Sequence, residues 1–157
     1  MIEGLPYFLS ADPDWAREQL IAPLLDDNID SLALWRAIAR RTHFTEVLKI
    51  IGDAMVERAT DRRLGRETRG SLVFSLIVES LRAYSANRAP AVSNSQIQQM
   101  LRSLDDEVRA SAADAIVRFV REAPEAEGYP SSAALFKAAA IPFLHGVWPQ
   151  ERSLVMT

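Results

Sequence analysis

Leu104-Asp105-Asp106-Glu107-Val108-Arg109-Ala110-Ser111-Ala112-Ala113-Asp114-Ala115-Ile116 is the stretch that decides the fold. Val108, Ala112, Ala115 and Ile116 recur every three or four residues, and Phe119 and Val120 continue the series, so all six share one face of a helix. Acidic residues crowd its start, where carboxylates favour the free N–H groups and the positive end of the helix dipole. Asp105 or Asp106 is therefore expected to cap it. Ala112 and Ala115 are small. Set between Val108 and Ile116, they let a second helix approach closely, so the stretch reads as half of a tightly packed helical pair.

Working outward, Ser93 followed by Gln96 makes a capping box that opens a helix with Ile97, Met100, Leu101 and Leu104. A long helix before it carries Leu72, Val73, Leu76, Ile77, Leu81 and Tyr84 and breaks at Ala89-Pro90-Ala91. Residues 61–70 read as an arginine-rich connector. Before that, Phe44, Val47, Leu48, Ile51 and Met55 form an amphipathic stripe beginning near Thr42 to Thr45, and Leu34, Trp35 and Ile38 lie on a helix from about Asp30 to Arg40. Asp12 caps a helix with Pro13 in its first position, and Pro23 is expected to kink or end it. Leu5-Pro6-Tyr7-Phe8-Leu9 is a short apolar opening segment. Downstream, Ser131 or Ser132 starts a last helix through Leu135, Phe136 and Ala139, which Pro142 is expected to bend or stop. No stretch sustains the two-residue alternation of a strand. The reading is an all-α fold of about seven helices, stacked as antiparallel pairs in an α-solenoid fragment. It is a single module over residues 1–157, with a tail at 150–157.

Composition excludes several classes of function. The chain has 157 residues and no cysteine, so thiol catalysis, disulfide frameworks and cysteine-ligated zinc are ruled out. A net charge of −3 supplies no global attraction to nucleic acid or anionic lipid. No apolar run approaches the ~18 residues that span a bilayer, and a cytoplasmic setting is expected. The opening residues lack the basic start and long apolar core of a signal peptide.

Two segments carry resemblances. Residues 104–116 resemble the second helix of a HEAT-type repeat, which places an aspartate near the turn, then Val-Arg, then small residues three apart before a large aliphatic. Leu5-Pro6-Tyr7-Phe8-Leu9, Trp15, the run from Leu20 to Leu25, Leu32 to Trp35, Ile141-Pro142-Phe143-Leu144 and Val147-Trp148-Pro149 together resemble a helical region of large bacterial multidomain proteins. Some of those carry a sirtuin-like, NAD-consuming domain and are linked to phage defence. This second resemblance implies that the chain is a piece of a larger protein, with any enzymatic domain elsewhere in it.

The residues that bear chemistry are few. His43 and His145 are the only histidines, and neither stands in a His-Glu-x-x-His pattern or beside a recognisable nucleophile. Asp26-Asp27 and Asp105-Asp106-Glu107 are expected to serve helix starts rather than acid–base catalysis. Gly65 and Gly70 belong to no phosphate loop, because no strand precedes them and no Gly-Lys-Ser/Thr follows. No catalytic residue, cofactor or metal site is therefore assigned. The candidate interaction residues are Arg58, Arg62, Arg63, Arg66 and Arg69, with Trp148 in the C-terminal segment. Between Glu57 and Gly70 these five arginines face three acids, Glu57, Asp61 and Glu67. Guanidinium forks suit phosphate or carboxylate, but no aromatic residue interleaves to stack a base, which speaks against a nucleic-acid partner. The expectation is a connector largely paired with itself.

The leading expectation is a non-enzymatic scaffold that binds protein, either the rest of a parent chain or another subunit, with a homodimer in isolation. The alternatives are a nucleic-acid-binding module using residues 58–69 and a partner portion of an enzyme centred outside this chain. The last helix offers Ala133, Ala134, Ala138 and Ala140 beside its large apolar residues, leaving little polar surface for water, and the chain finishes on Leu154-Val155-Met156. A solenoid end normally carries a polar cap, so this end is expected to be covered by something else.

Overall fold

The computed structural model describes residues 2–40, 45–123 and 126–150, and every regular element among them is helical. A 3-10 turn (Ile2–Gly4) leads into α1 (Leu5–Ala11). The next rod is α2 (Pro13–Ala16), a π-helical turn (Arg17–Ile21) and α3 (Ala22–Leu25) in one continuous run. Then follow α4 (Ile29–Ala39), α5 (Thr45–Ala59), α6 (Arg66–Ala86), α7 (Asn94–Ser103) and α8 (Asp106–Arg121). The last rod is α9 (Ser132–Leu135), a second π turn (Phe136–Ala140) and α10 (Ile141–Gly146). Counting the two composite rods once each, the described residues form eight helical segments rather than seven.

The additional segment is α1, formed by the apolar opening residues. Pro6 sits in its first turn, where a missing N–H costs nothing, Leu5 is fully buried, and the Phe8 ring lies 5.1 Å from that of Trp15. Elsewhere the caps explain the helix starts. Asp12 accepts the Trp15 N–H (3.2 Å), Ser93 and Gln96 close their box, and Ser131 accepts from Ala134 (3.1 Å). α4 starts at Ile29 because Asn28 and Ser31 cap each other reciprocally, which leaves Asp30 inside the first turn. The expected aspartate cap of α8 is absent. Asp105 holds the cap position, but its carboxylate turns to Arg69 (3.4 Å), and that of Asp106 turns to Arg109 (2.7 Å).

Pro142 does not stop its helix, whereas the helix of Pro23 ends two residues on, at Leu25, near its last turn as expected. Pro23 and Pro142 each follow a π turn by two residues, and the chain remains helical beyond both. A proline clashes with the carbonyl four residues back and donates nothing to it. The widened turn, closed by Ala22 N–H to the Arg17 carbonyl and by Ile141 N–H to that of Phe136, absorbs the misfit.

Packing follows an alternating plan. α4 touches α6, α6 touches α8, and α5 packs on both α6 and α7, the alternation expected where helical pairs stack. The last rod does not extend this series. It returns to α6 through Phe136–Ala140 and α10, so α6 is met by α4, α5, α7, α8 and the C-terminal rod. The sequence of α6 accommodates this, since Leu72, Val73, Leu76, Ile77, Val78 and Leu81 point around most of its circumference and all are buried. Where α6 meets α8 the residues are small: Ala112 and Ala115 are completely buried, and a Cβ on Gly70 would lie 2.6 Å from Ser111 Oγ.

Candidate functional site

The arginine segment folds into an internal clamp more than an open surface. The connector is shorter than 61–70, because α6 already begins at Arg66. Arg58, on the last turn of α5, reaches back to the break between α3 and α4: it donates to the Asp26 carbonyl (2.8 Å) and to Ser31 Oγ (3.4 Å), and pairs with Asp61 (3.1 Å). Arg63 pairs with Asp61 (2.7 Å) and Asp27 (2.6 Å). The Arg63 side chain, its backbone N–H and Arg58 together outweigh the burial of Asp61, holding its pKa down at about 2, and Arg63 is raised correspondingly. Arg69 is 7% exposed, donating to the Leu64 carbonyl (3.1 Å) and facing Asp105 (3.4 Å). Arg66 is exposed and pairs with Glu107 of α8. Arg62 is exposed and makes no ion pair among the described residues. Of the five candidate arginines, then, Arg58, Arg63 and Arg69 tie the α3–α4 break, the connector and the start of α8 together, while Arg62 and Arg66 face solvent.

Trp148 packs against the core, and its N–H donates to the Phe143 carbonyl (3.0 Å) beside the buried Val147 and Pro149. Gln150 fastens this corner by donating to the Leu144 and Trp148 carbonyls (2.6 and 2.9 Å). His145 is exposed on the last turn of α10. His43, Phe44 and residues 151–157 lie outside the described residues. Among the described residues no cluster of three or more His, Cys, Asp or Glu is placed to hold a metal, and no helix is long and apolar enough to cross a membrane.

Two surface features stand out, the first of them unassigned in the sequence. The first is a polar cleft of about 410 Å³ between the end of α4 (Ala39, Arg40), the first half of α6 and the middle of α8. Its α6 side includes Ser71, Phe74 and Ser75, and its α8 side Ser111, Asp114 and Arg118. The Arg118 guanidinium lies 5.0 Å from the Phe74 ring centre and is steadied by Glu122 (3.3 Å) and Asp114 (3.9 Å). The available signal was Ser71 and Ser75, four residues apart and so on one face of α6. The second feature is the outer face of the C-terminal rod, where Ala133, Ala134 and Ala138 are exposed and Phe136 is 48% exposed. Beside it, Val78, Phe119 and Leu135 line a neighbouring groove of about 380 Å³.

No family model, curated protein or solved structure matches this chain.

Proposed function

We propose that this chain is a non-enzymatic helical scaffold, a HEAT-like stack whose C-terminal rod docks another polypeptide. The observation that carries the reading is the outer face of that rod. Phe136 stands about half exposed among Ala133, Ala134 and Ala138, while the opposite face, with Leu135, Ala139, Ala140 and Phe143, is committed to the core. An aromatic ring surrounded by small residues offers a partner a knob and the flat space around it, the geometry of helix-to-groove recognition. The end-segment resemblance adds the setting: a cytoplasmic region within a large bacterial multidomain protein, including those linked to phage defence. The partner is the remainder of such a protein or another subunit, and in isolation the face pairs with its own copy.

Size-exclusion chromatography with light scattering tests this. The wild-type chain should be dimeric at high concentration, and Phe136→Asp monomeric with an unchanged melting temperature, because the substituted ring is half in water. A chain that stays monomeric throughout, or a Phe136→Asp variant that dimerises like wild type, would remove the reading.

A further inference from the structure

We propose that the small cavity where the end of α6 meets the start of α7 is a water-binding site, its one or two molecules bridging Asn94 to Ser80 and Tyr84. Asn94 Oδ1 carries the argument. It is buried and has no hydrogen-bond partner, alone in this among the side-chain atoms of the described residues. The amide nitrogen of the same side chain is engaged by the Tyr84 hydroxyl (3.2 Å). A buried acceptor without a donor is costly, and native proteins rarely leave one unexplained. Turning the amide over does not help, because the Tyr84 hydroxyl would then donate to Oδ1 and leave Nδ2 without an acceptor. Nor is the hydroxyl free to swing aside. The end of α10 stands against it, so close that a Cβ on Gly146 would lie 3.3 Å away.

Size and charge define the ligand. The cavity measures about 70 Å³ and is lined by Ser80, Ala83, Tyr84, Arg88, Pro90 and Asn94. A water molecule occupies about 30 Å³ in the liquid, so one or two fit. Sites for organic ligands begin at about 300 Å³. Oδ1 requires a donor, which rules out a bare anion. The Arg88 guanidinium in the wall opposes a cation, and it is itself already engaged by Glu79, Thr45 and the Ala89 carbonyl. What remains is a small neutral molecule that both donates and accepts, and that serves either setting of the amide. A buried water needs two to four polar partners. Asn94 Oδ1 supplies one. The Tyr84 hydroxyl supplies another, since it accepts from Asn94 and keeps its own proton to donate. Ser80, 2% exposed, lines the same space. Among the described residues no hydrogen bond joins Ser80 to Asn94 directly, so water is what couples the end of α6 to the first turn of α7.

This site goes beyond the docking reading, since its ligand is solvent and Phe136 does not line it. A double-mutant cycle on the full chain tests it, with Asn94→Ala, Ser80→Ala and the pair followed by urea unfolding. Asn94→Ala should lower the folding equilibrium constant by about fivefold or more. In the Ser80→Ala background the same substitution should cost clearly less, because the bridge is already broken. Strictly additive effects would mean that nothing links the two side chains, and would overturn the proposal. An Asn94→Ala chain more stable than wild type would overturn it too, because removing a satisfied acceptor cannot stabilise the fold in that way. A crystal structure of the wild-type chain gives an independent readout. Ordered water should lie within about 3.2 Å of the Asn94 amide and of the Ser80 or Tyr84 hydroxyl. A cavity closed by a side chain, or one with no ordered water, would overturn the assignment.

Discussion

Glu79 is a buried carboxylate within α6, the helix on which most of the others rest. It is 3% exposed, yet it accepts from Thr45 Oγ1 (2.6 Å), from Arg88 (2.7 and 3.0 Å) and from the Ala91 N–H (2.8 Å). Burial alone would raise its pKa, but the Arg88, Thr45 and Ala91 hydrogen bonds outweigh that and hold it below the ordinary carboxylate value. One side chain thus fastens the start of α5 and the loop before α7 to α6. Glu79→Ala strands a guanidinium and a backbone N–H together, and should destabilise the fold by about 3 kcal/mol, measured by urea unfolding. Asp61 makes a related prediction for pH. Its folded pKa is about 2 against 3.8 for the free group, so between those values the unfolded chain binds more protons than the folded one. The stability that Asp61 contributes is complete above about pH 5, declines as pH falls, and is lost below pH 2. Asp61→Asn should be less stable than wild type at pH 7 and show a flatter decline from pH 5 to pH 2; identical slopes would show that Asp61 contributes nothing. The Glu79 clamp was not legible beforehand, since Thr45 lies 34 positions away. The Asp61 clamp was legible in part: its pairs with Arg58 and Arg63 are local and of the kind expected of a connector paired with itself, whereas the reach of Arg63 to Asp27, 36 positions away, was not.

At the scale of the helix, small residues decide how near two rods lie. Ala112 and Ala115 are fully buried, and α6 answers them with Gly70 against Ser111. Ala112→Leu and Ala115→Leu should each cost about 1–3 kcal/mol by overpacking, read as a lowered denaturation midpoint. An unchanged midpoint in both would mean that α8 can shift without loss. This seam was legible because its evidence is periodic and local, as were the caps at Asp12, Ser93 and Ser131. The failures have a common cause as well. α1 was too short for periodicity to register, and the course of the helix past Pro142 depends on a π turn, which leaves no mark in residue spacing. The Asp105 carboxylate was assigned to its local N–H groups, but the guanidinium of Arg69, 36 positions away, competes successfully for it.

For the whole molecule, the all-α class followed from the absence of alternation, and helical pairing followed from the short links. The path of the C-terminal rod back to α6 did not follow, since it depends on long-range complementarity that a linear pattern does not encode. The cleft was hidden for the same reason, being assembled from α4, α6 and α8 across residues 39–118. The central position of α6 bears on how the protein opens. Because α4, α5, α7, α8 and the C-terminal rod all rest on it, no neighbour can shield its amides alone, and none can expose all of them by leaving. Amide hydrogens from about Leu72 to Leu81 should therefore exchange with deuterium only when the entire chain unfolds. Their protection should track the global unfolding free energy through every destabilising variant described above. Those of α1, which rests on few neighbours, should exchange through local fraying and ignore the same variants. Mass spectrometry of deuterated peptides distinguishes the two regimes: a middle segment of α6 that exchanges as fast as α1 would mean that the rods separate one at a time, and that the chain unfolds in stages rather than as a unit.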